Sequence, residues 1–163
     1  MLSPQAIVKI ELELTKYPAD QRQAAVVSAL RIVQTERGWL SKESISEVAQ
    51  YLRIPEIAAM EVATFYNMFD LQPVGEHKIT ICTNISCMLR GSDEIVNHLQ
   101  TKLGIGFNEI TPDGQFCLKE GECMGSCGGA PLMHINNTQM FEFLTPEKVD
   151  EILISLETKA IKS

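Results

Sequence analysis

The sequence predicts an α+β protein in which a helical N-terminal part is followed by a smaller α/β part. Apolar residues recur every three or four positions through residues 1–72, which is the spacing of one helix face. The segment DLQPVGEHK, with Pro73 and Gly75, interrupts this pattern. Beyond it, alternation with a period of two indicates strands. We therefore expect two domains, a helical bundle over residues 1–72 and an α/β domain over residues 73–163.

The first part is expected to contain four helices. Ser3 and Pro4 form a cap and first-turn pair for the first helix. The second ends at Gly38, a residue type that terminates helices readily. Ser41 opens the third and Pro55 the fourth, and the short connections favour an antiparallel bundle. The expected core positions are Ile7, Ile10 and Leu14, then Val26, Leu30 and Val33, then Ile45, Val48 and Leu52, then Val62, Phe65 and Phe69.

The second part is expected to alternate strands with two helices. HKITIC is a strand, and SDEIVNHLQTKLG is a helix that ends at Gly104 and turns Val96, Leu99 and Leu103 inward. QFCLKE is a short strand, and PLMHIN and QMFEFL are two strands joined by the turn NNT. Thr145 caps a last helix. Its inward positions are Val149, Ile152, Leu153 and Leu156. This order is typical of a small thioredoxin-like α/β layer.

Composition and charge restrict the function classes. The chain has 163 residues, a hydrophobic fraction of 45% and a formal net charge of −7. This acidic balance argues against nucleic-acid binding, which needs clustered basic residues. No apolar run reaches the roughly 18 residues of a membrane span. The first residues lack the pattern of a signal peptide, so we expect a cytoplasmic protein without a direct membrane span.

Four of the five cysteines form two closely spaced pairs. Cys82 falls where the first predicted strand ends, and Cys87 is expected in the following loop. Cys123 and Cys127 belong to the glycine-rich segment GECMGSCGGAP. Loops at strand ends are where a rigid sheet presents ligands, and glycines let backbone N–H groups approach charged sulfurs. Cys117 lies inside a predicted strand and is expected to be a small buried hydrophobe.

The cysteine spacing leaves two kinds of metal site open. A disulfide framework is disfavoured in a reducing compartment. Four thiolates suit a structural zinc ion, although zinc knuckles favour C-x-x-C pairs and neither pair has that spacing. Four thiolates also suit a [2Fe–2S] cluster, although the spacing differs from that of plant-type ferredoxins. A Rieske centre needs two histidines, and His77, His98 and His134 are scattered. We expect these histidines to be strand-end or surface residues.

No catalytic site is predicted on this chain. The segment GIG at residues 104–106 follows a helix, and residue 109 is a glutamate where a dinucleotide motif needs glycine. A phosphate-loop lysine and a readable Ser/His/Asp or Cys/His set are also missing from the sequence.

Several phrases together resemble one family. CTNISCMLRG, TPDGQF and ECMGSCGGAP are similar to the cluster-binding part of the [2Fe–2S] E-type subunit family of respiratory complex I, NADH:quinone oxidoreductase. ALRIVQTERGWL and EVATFYNMF resemble its helical part, so the resemblance covers nearly the whole chain. It implies an N-terminal helical bundle followed by a thioredoxin-like [2Fe–2S] ferredoxin domain. It also implies that Cys82, Cys87, Cys123 and Cys127 bind the cluster, whereas Cys117 matches no ligand position.

The resemblance also implies an activity and partners. A partner flavoprotein subunit would hold FMN and NADH, and this chain would exchange single electrons with the flavin. Other subunits of the peripheral arm would be further partners, which places the chain at the inner face of the cell membrane. Alternatives are the equivalent subunit of an NAD-linked hydrogenase or formate dehydrogenase, a free-standing thioredoxin-like ferredoxin, and a zinc-stapled interaction module.

Overall fold

The computed structural model describes residues 1–160, with side chains described as far as residue 157. Contacts between residues divide the chain into two compact units, Met1–Pro73 and Val74–Ser163. Each unit has its own buried apolar core. The assignment of residues 1–72 and 73–163 as separate domains stays a prediction.

The first unit is helical. Its elements are α1 (Pro4–Leu14), a 3₁₀ turn (Arg22–Ala25), α2 (Val26–Arg37), α3 (Lys42–Leu52) and α4 (Glu56–Phe65). The Ser3 hydroxyl accepts a hydrogen bond from the Ala6 N–H at 3.0 Å, and the Ser41 hydroxyl accepts one from the Ser44 N–H at 3.2 Å. Gly38 ends α2 with a φ of 83°, a conformation that glycine adopts without steric cost. The predicted caps and the glycine terminator are therefore confirmed.

The predicted core positions of the fourth helix are wrong at Phe65, whereas Val62 packs half-buried against the core and Phe69 is buried in it. Helix α4 ends at Phe65 because Tyr66 takes an extended backbone conformation. The Phe65 side chain is 76% exposed. Phe69 lies beyond the helix, although it is buried. The side chains of α4 that are buried in the core are Ala59 and Ala63, four positions apart on one face. In α1, Ile10 is buried as predicted, whereas Ile7 and Leu14 are only half-buried.

The second unit is a four-stranded mixed sheet with helices. Its elements are β1 (His77–Cys82), α5 (Ile85–Met88), α6 (Ser92–Leu103), β2 (Phe116–Gly121), a 3₁₀ turn (Cys127–Gly129), β3 (Met133–Ile135), β4 (Gln139–Phe141) and α7 (Pro146–Ala160). The strand order is β2-β1-β3-β4. Strands β1 and β2 run parallel, and the other two pairings are antiparallel. The predicted α+β class and strand–helix order are confirmed.

Local chemistry explains these connections. Parallel strands need a crossover, and α6 supplies it between β1 and β2. The β3–β4 turn places Asn136 and Asn137 at φ values of 52° and 56°, which asparagine tolerates better than most residues. The Thr145 hydroxyl accepts a hydrogen bond from the Lys148 N–H at 3.3 Å and so caps α7.

The core of the second unit lies on the sheet. Ile79, Ile81 and Leu118 are fully buried. As far as residue 157, the buried residues of α7 are the four predicted ones, whereas in α6 they are Ile95 and Leu99 among the apolar positions. Val96 and Leu103, which were predicted to point inward, are half-buried. No helix within the described residues is both long and apolar enough to span a membrane.

Candidate metal centre

The parallel pair of strands brings the two cysteine segments to one edge of the sheet. Cys82 is the last residue of β1, and its register partner is Gly121, the last residue of β2. The carboxyl ends of adjacent parallel strands meet at the same edge, where such sheets place their binding sites. Cys87 follows β1 by five positions, and Cys123 and Cys127 follow β2. The register therefore makes the two segments begin side by side.

The first cysteine pair is buried. Cys82 is 3% exposed and Cys87 is 1% exposed, and both pack with Ala130 and Leu132. Cys87 lies in the short helix α5, so the predicted loop location was wrong. The chain turns into this helix because Asn84 has an extended backbone and its carbonyl accepts a hydrogen bond from the Cys87 N–H at 2.8 Å.

The second pair is exposed to solvent. Cys123 and Cys127 both have exposed side chains, and Cys127 opens the short 3₁₀ turn. Between them, Gly125 has a φ of 76°, in the left-handed region that favours glycine. The site thus has one pair of thiols beneath the surface and one pair at it.

Hydrogen bonds connect the two cysteine segments directly. The Cys82 thiol lies 3.7 Å from the Glu122 carbonyl oxygen and donates to it. The Thr83 N–H donates to the Gly121 carbonyl at 3.0 Å, and the Thr83 hydroxyl donates to the Glu120 carboxylate at 2.8 Å. Two residues beyond α5, the Arg90 guanidinium donates to the carbonyl of residue 128 at 3.4 Å. These contacts fix the ends of β1 and β2 to one another around the thiols.

The Cys87 thiol resists ionisation. Burial raises its pKa to about 11, and a hydrogen bond and charge repulsion from Cys82 act in the same direction. Repulsion from Cys127 also raises this pKa, while a backbone hydrogen bond from Leu132 opposes the shift. Thiolates are the form that binds metals, so a positively charged partner is needed to stabilise the Cys87 thiolate here.

The donor set fits an iron–sulfur group by its chemistry. Four thiols from two neighbouring segments are the ligand complement of a [2Fe–2S] cluster, which takes two thiolates on each iron. Among the described residues, no group of three or more His, Cys, Asp or Glu side chains is arranged to hold a metal ion, so the fit rests on the number and type of the donors and on their place at one sheet edge. None of the five cysteines forms a disulfide.

Comparison with known proteins identifies the family. The model of the family described as thioredoxin-like [2Fe-2S] ferredoxin matches residues 10–157. The chain belongs to the thioredoxin-like [2Fe–2S] ferredoxin family. Membership supports an iron–sulfur cofactor in this ferredoxin-family chain.

Curated relatives of this ferredoxin-family chain are oxidoreductase subunits. It is 44% identical over 144 residues to the E-type subunit of NADH-quinone oxidoreductase from Rickettsia bellii, covering 88% of this chain and 86% of that protein. It is 37% identical over 147 residues to NADH-quinone oxidoreductase subunit 2 of Thermus thermophilus, covering 90% of this chain and 81% of that protein. The predicted resemblance to the E-type subunit family is confirmed.

A solved structure shares the fold. A chain of the NAD+-reducing [NiFe]-hydrogenase in the air-oxidized state superposes with a TM-score of 0.71 at 21% sequence identity. The match covers 88% of this chain but 24% of the hydrogenase chain, so this chain spans about a quarter of that one. At this identity the likeness shows the fold alone.

The fifth cysteine and the three histidines singled out in the sequence all lie in the second unit. Cys117 is 2% exposed inside β2, as predicted. His77 is buried at the start of β1, and its Nε2 has no hydrogen-bond partner within residues 1–160. The prediction of strand-end or surface histidines is wrong for His134, which lies in the middle of β3, where burial lowers its pKa. His98 is half-buried and pairs with Asp150 at 2.8 Å.

Sequence reasoning missed two residues of this centre. Arg90 links the two cysteine segments, and Glu142, beyond β4, accepts a hydrogen bond from the Ser126 hydroxyl. Arg90 stands beside the first cysteine pair in CTNISCMLRG, which was its one available signal. Glu142 is 15 positions from Cys127, and only the fold of the β3–β4 hairpin brings it to the site.

Proposed function

We propose that this chain is the electron-transfer subunit of an NADH:quinone oxidoreductase. In this proposal Cys82, Cys87, Cys123 and Cys127 bind one [2Fe–2S] cluster, which when bound supplies a one-electron acceptor and donor. A partner subunit holds FMN and NADH, and the chain exchanges single electrons with that flavin. The observation that carries the proposal is the register of Cys82 with Gly121, which starts both cysteine segments at one sheet edge.

The two pairs of thiols have different roles in this proposal. Cys82 and Cys87 lie beneath the surface among Ala130 and Leu132, so they would hold a bound cluster from the buried side. Cys123 and Cys127 are exposed, so they would hold it from the solvent side. The buried pair would limit access of water, and the exposed pair would leave the centre open to a redox partner.

The surface next to the thiols suits a protein partner. Helix α5 exposes Ile85 to 67% and Met88 to 45%, and the adjacent Leu89 is 77% exposed. Apolar side chains grouped on a surface mark interaction sites more often than isolated ones do. In the proposed assembly the NADH- and FMN-binding flavoprotein is the redox partner, other peripheral-arm subunits are further neighbours, and the complex lies at the cytoplasmic, inner face of the cell membrane.

Copurification from native cells tests the assembly. We expect the tagged full-length chain to retain a flavoprotein at equal stoichiometry, and NADH to produce the electron paramagnetic resonance signal of a reduced binuclear cluster only when that flavoprotein is present. Retention of hydrogenase or formate dehydrogenase subunits would assign the chain to those enzymes instead. A coloured chain isolated without partners would indicate a free-standing ferredoxin, and a colourless zinc-containing chain would indicate an interaction module.

A further inference from the structure

The segment that carries Cys123 and Cys127 needs an external support. It leaves the sheet at Gly121, it contains a left-handed glycine at residue 125, and both of its thiols are exposed. An exposed segment of this kind loses more conformational entropy on binding a metal if it is not already held in place. The contacts that hold it therefore affect how tightly its thiols bind.

Glu142 contacts the middle of this segment. The Ser126 hydroxyl donates a hydrogen bond to Oε1 of Glu142. Ser126 immediately precedes Cys127 and follows Cys123 by three positions. Glu142 is half-buried, and a hydrogen bond to an ionised carboxylate is stronger than one between neutral groups.

Gly129 provides the room that the carboxylate occupies. A Cβ added at Gly129 would lie 2.5 Å from Cδ of Glu142 and 2.6 Å from its Oε1, closer than Cβ atoms come to such neighbours in folded proteins. The side chain of Glu142 therefore lies against the bare α-carbon of Gly129. Glu142 therefore contacts one residue before Cys127, Ser126, and one after it, Gly129.

The backbone around Glu142 is itself held. The Lys148 ammonium group on α7 donates to the Glu142 carbonyl at 2.6 Å. The Phe143 N–H donates to the Gly129 carbonyl at 2.6 Å, and the Leu144 N–H donates to the Pro131 carbonyl at 3.0 Å. Residues 142–144 thus run beside residues 129–131, and they present the carboxylate from a fixed position.

We propose that Glu142 is a positioning residue for the metal centre, which acts through Ser126 and Gly129 to hold Cys123 and Cys127 ready for the cluster. The proposal rests on the proposed function, because it needs these two cysteines to be ligands. Glu142 binds no iron in this arrangement. Its effect is on how long the cluster stays bound and on how rigid residues 123–130 are.

Four single variants and the Glu142→Ala/Ser126→Ala double variant test this role in the full-length chain. Glu142→Ala removes the acceptor, Ser126→Ala removes the donor, and Glu142→Gln keeps a neutral acceptor at the same place. Glu151→Ala makes the same charge change at an exposed position of α7 and serves as the control. We measure the rate at which each loaded protein loses its visible absorption to excess EDTA without air, and amide hydrogen exchange over residues 123–130.

The structure predicts a graded result. Glu142→Ala should lose the cluster roughly ten-fold faster than wild type, the effect of one lost charge-assisted hydrogen bond. Glu142→Gln should lose it about three-fold faster, because a neutral hydrogen bond is about half as strong. Ser126→Ala should approach the rate of Glu142→Ala, which also loses the contact with Gly129, and the double variant should be no faster than Glu142→Ala, since both single variants remove the same hydrogen bond. Hydrogen exchange over residues 123–130 should follow the same order.

The outcomes distinguish a failure of the role of Glu142 from a failure of the proposed function of the chain. A wild-type chain that binds no iron would overturn the proposed function itself. If the wild type binds the cluster, and Glu142→Ala loses it no faster than wild type and Glu151→Ala do, the role of Glu142 is overturned and the proposed function stands. If Glu142→Ala fails to fold by circular dichroism, Ser126→Ala decides, and a wild-type rate for that variant overturns the proposal.

Discussion

Cys82 and Gly121 are register partners at the carboxyl ends of two parallel strands. One strand therefore ends in a thiol, and its neighbour ends in a residue without a side chain. A Cβ at Gly121 would lie 2.8 Å from Met124 Cε and 2.9 Å from Thr80 Cγ2. This small residue lets the segment with Cys123 leave the sheet directly beside Cys82.

Gly75 should be intolerant of any side chain. A Cβ there would lie 2.7 Å from the carbonyl carbon of Phe116, and backbone atoms of a strand cannot move aside as a flexible side chain can. We expect Gly75→Ala to lower the free energy of unfolding by about 1–3 kcal/mol, the usual cost of overpacking. Urea unfolding followed by circular dichroism measures it.

The matched control is Gly106→Ala. Its Cβ would meet the Glu109 carboxylate at 3.3 Å, and the flexible end of that side chain can shift, at the cost of at most the hydrogen bond that it accepts from the Gly106 N–H. Gly106 is half-buried, and we expect a loss of no more than about 1 kcal/mol, the net contribution of one such hydrogen bond. Equal stability of the two variants would show that Gly75 is not tightly packed against β2.

His134 should make the protein less stable in mild acid. Burial in β3 holds its pKa below the ordinary value. As pH falls through the unfolded-state pKa of about 6.5, the unfolded chain binds a proton that the folded chain resists, so the free energy of unfolding decreases. His134→Gln should therefore lose less stability than wild type between about pH 7.5 and 5.5 in urea titrations. Parallel pH profiles of the two proteins would contradict this prediction.

Glu122 should lower the reduction potential of the bound cluster. Its carbonyl accepts from the Cys82 thiol, while its side chain is exposed beside Cys123. Reduction adds negative charge, which a nearby carboxylate opposes, and solvent screens the effect. We expect Glu122→Gln to raise the midpoint by on the order of tens of millivolts. Redox titration with paramagnetic resonance detection measures it, with Glu151→Gln at an exposed position of α7 as the control. An unchanged or lowered midpoint would count against this role.

The helical first unit should serve partner binding and not cluster binding. Residues 74–163 form a compact unit that includes all five cysteines. Expressed alone, they should fold by circular dichroism and bind iron, but lose association with the flavoprotein in copurification. Undiminished association would contradict a docking role for residues 1–73. A shortened chain that does not fold would contradict the separate-domain prediction.

Much of the fold could be predicted because its signals are local. Ser3 and Ser41 accept hydrogen bonds from the free N–H groups at helix starts, and Gly38 ends a helix. Each acts on residues close to it in the chain, so a single sequence reveals all three. The fourth helix was misjudged because Phe65 and Phe69 continue the apolar spacing, whereas the backbone turns extended at Tyr66. No residue near Tyr66 in the sequence predicts this change of backbone conformation.

The cysteines of the candidate site could be predicted from the sequence, whereas the residues that hold their segments in place could not. The spacing marked Cys82, Cys87, Cys123 and Cys127 as one set, but it left zinc and iron–sulfur open until the family resemblance was considered. The contact of Glu142 with Ser126 depends on the β3–β4 hairpin returning the chain to the sheet edge. Such contacts between distant residues have no signature in one sequence.

The most direct test of the account is the iron and acid-labile sulfide content of five single Cys→Ser variants, together with visible absorption after anaerobic purification. Wild type and Cys117→Ser should contain about two irons and about two sulfides per chain, because Cys117 is buried in β2 and is not a proposed ligand. Serine at residue 82, 87, 123 or 127 should lose or strongly alter the absorption. A bleached Cys117→Ser protein, or an unaltered spectrum in any of the other four, would contradict the proposed ligand set.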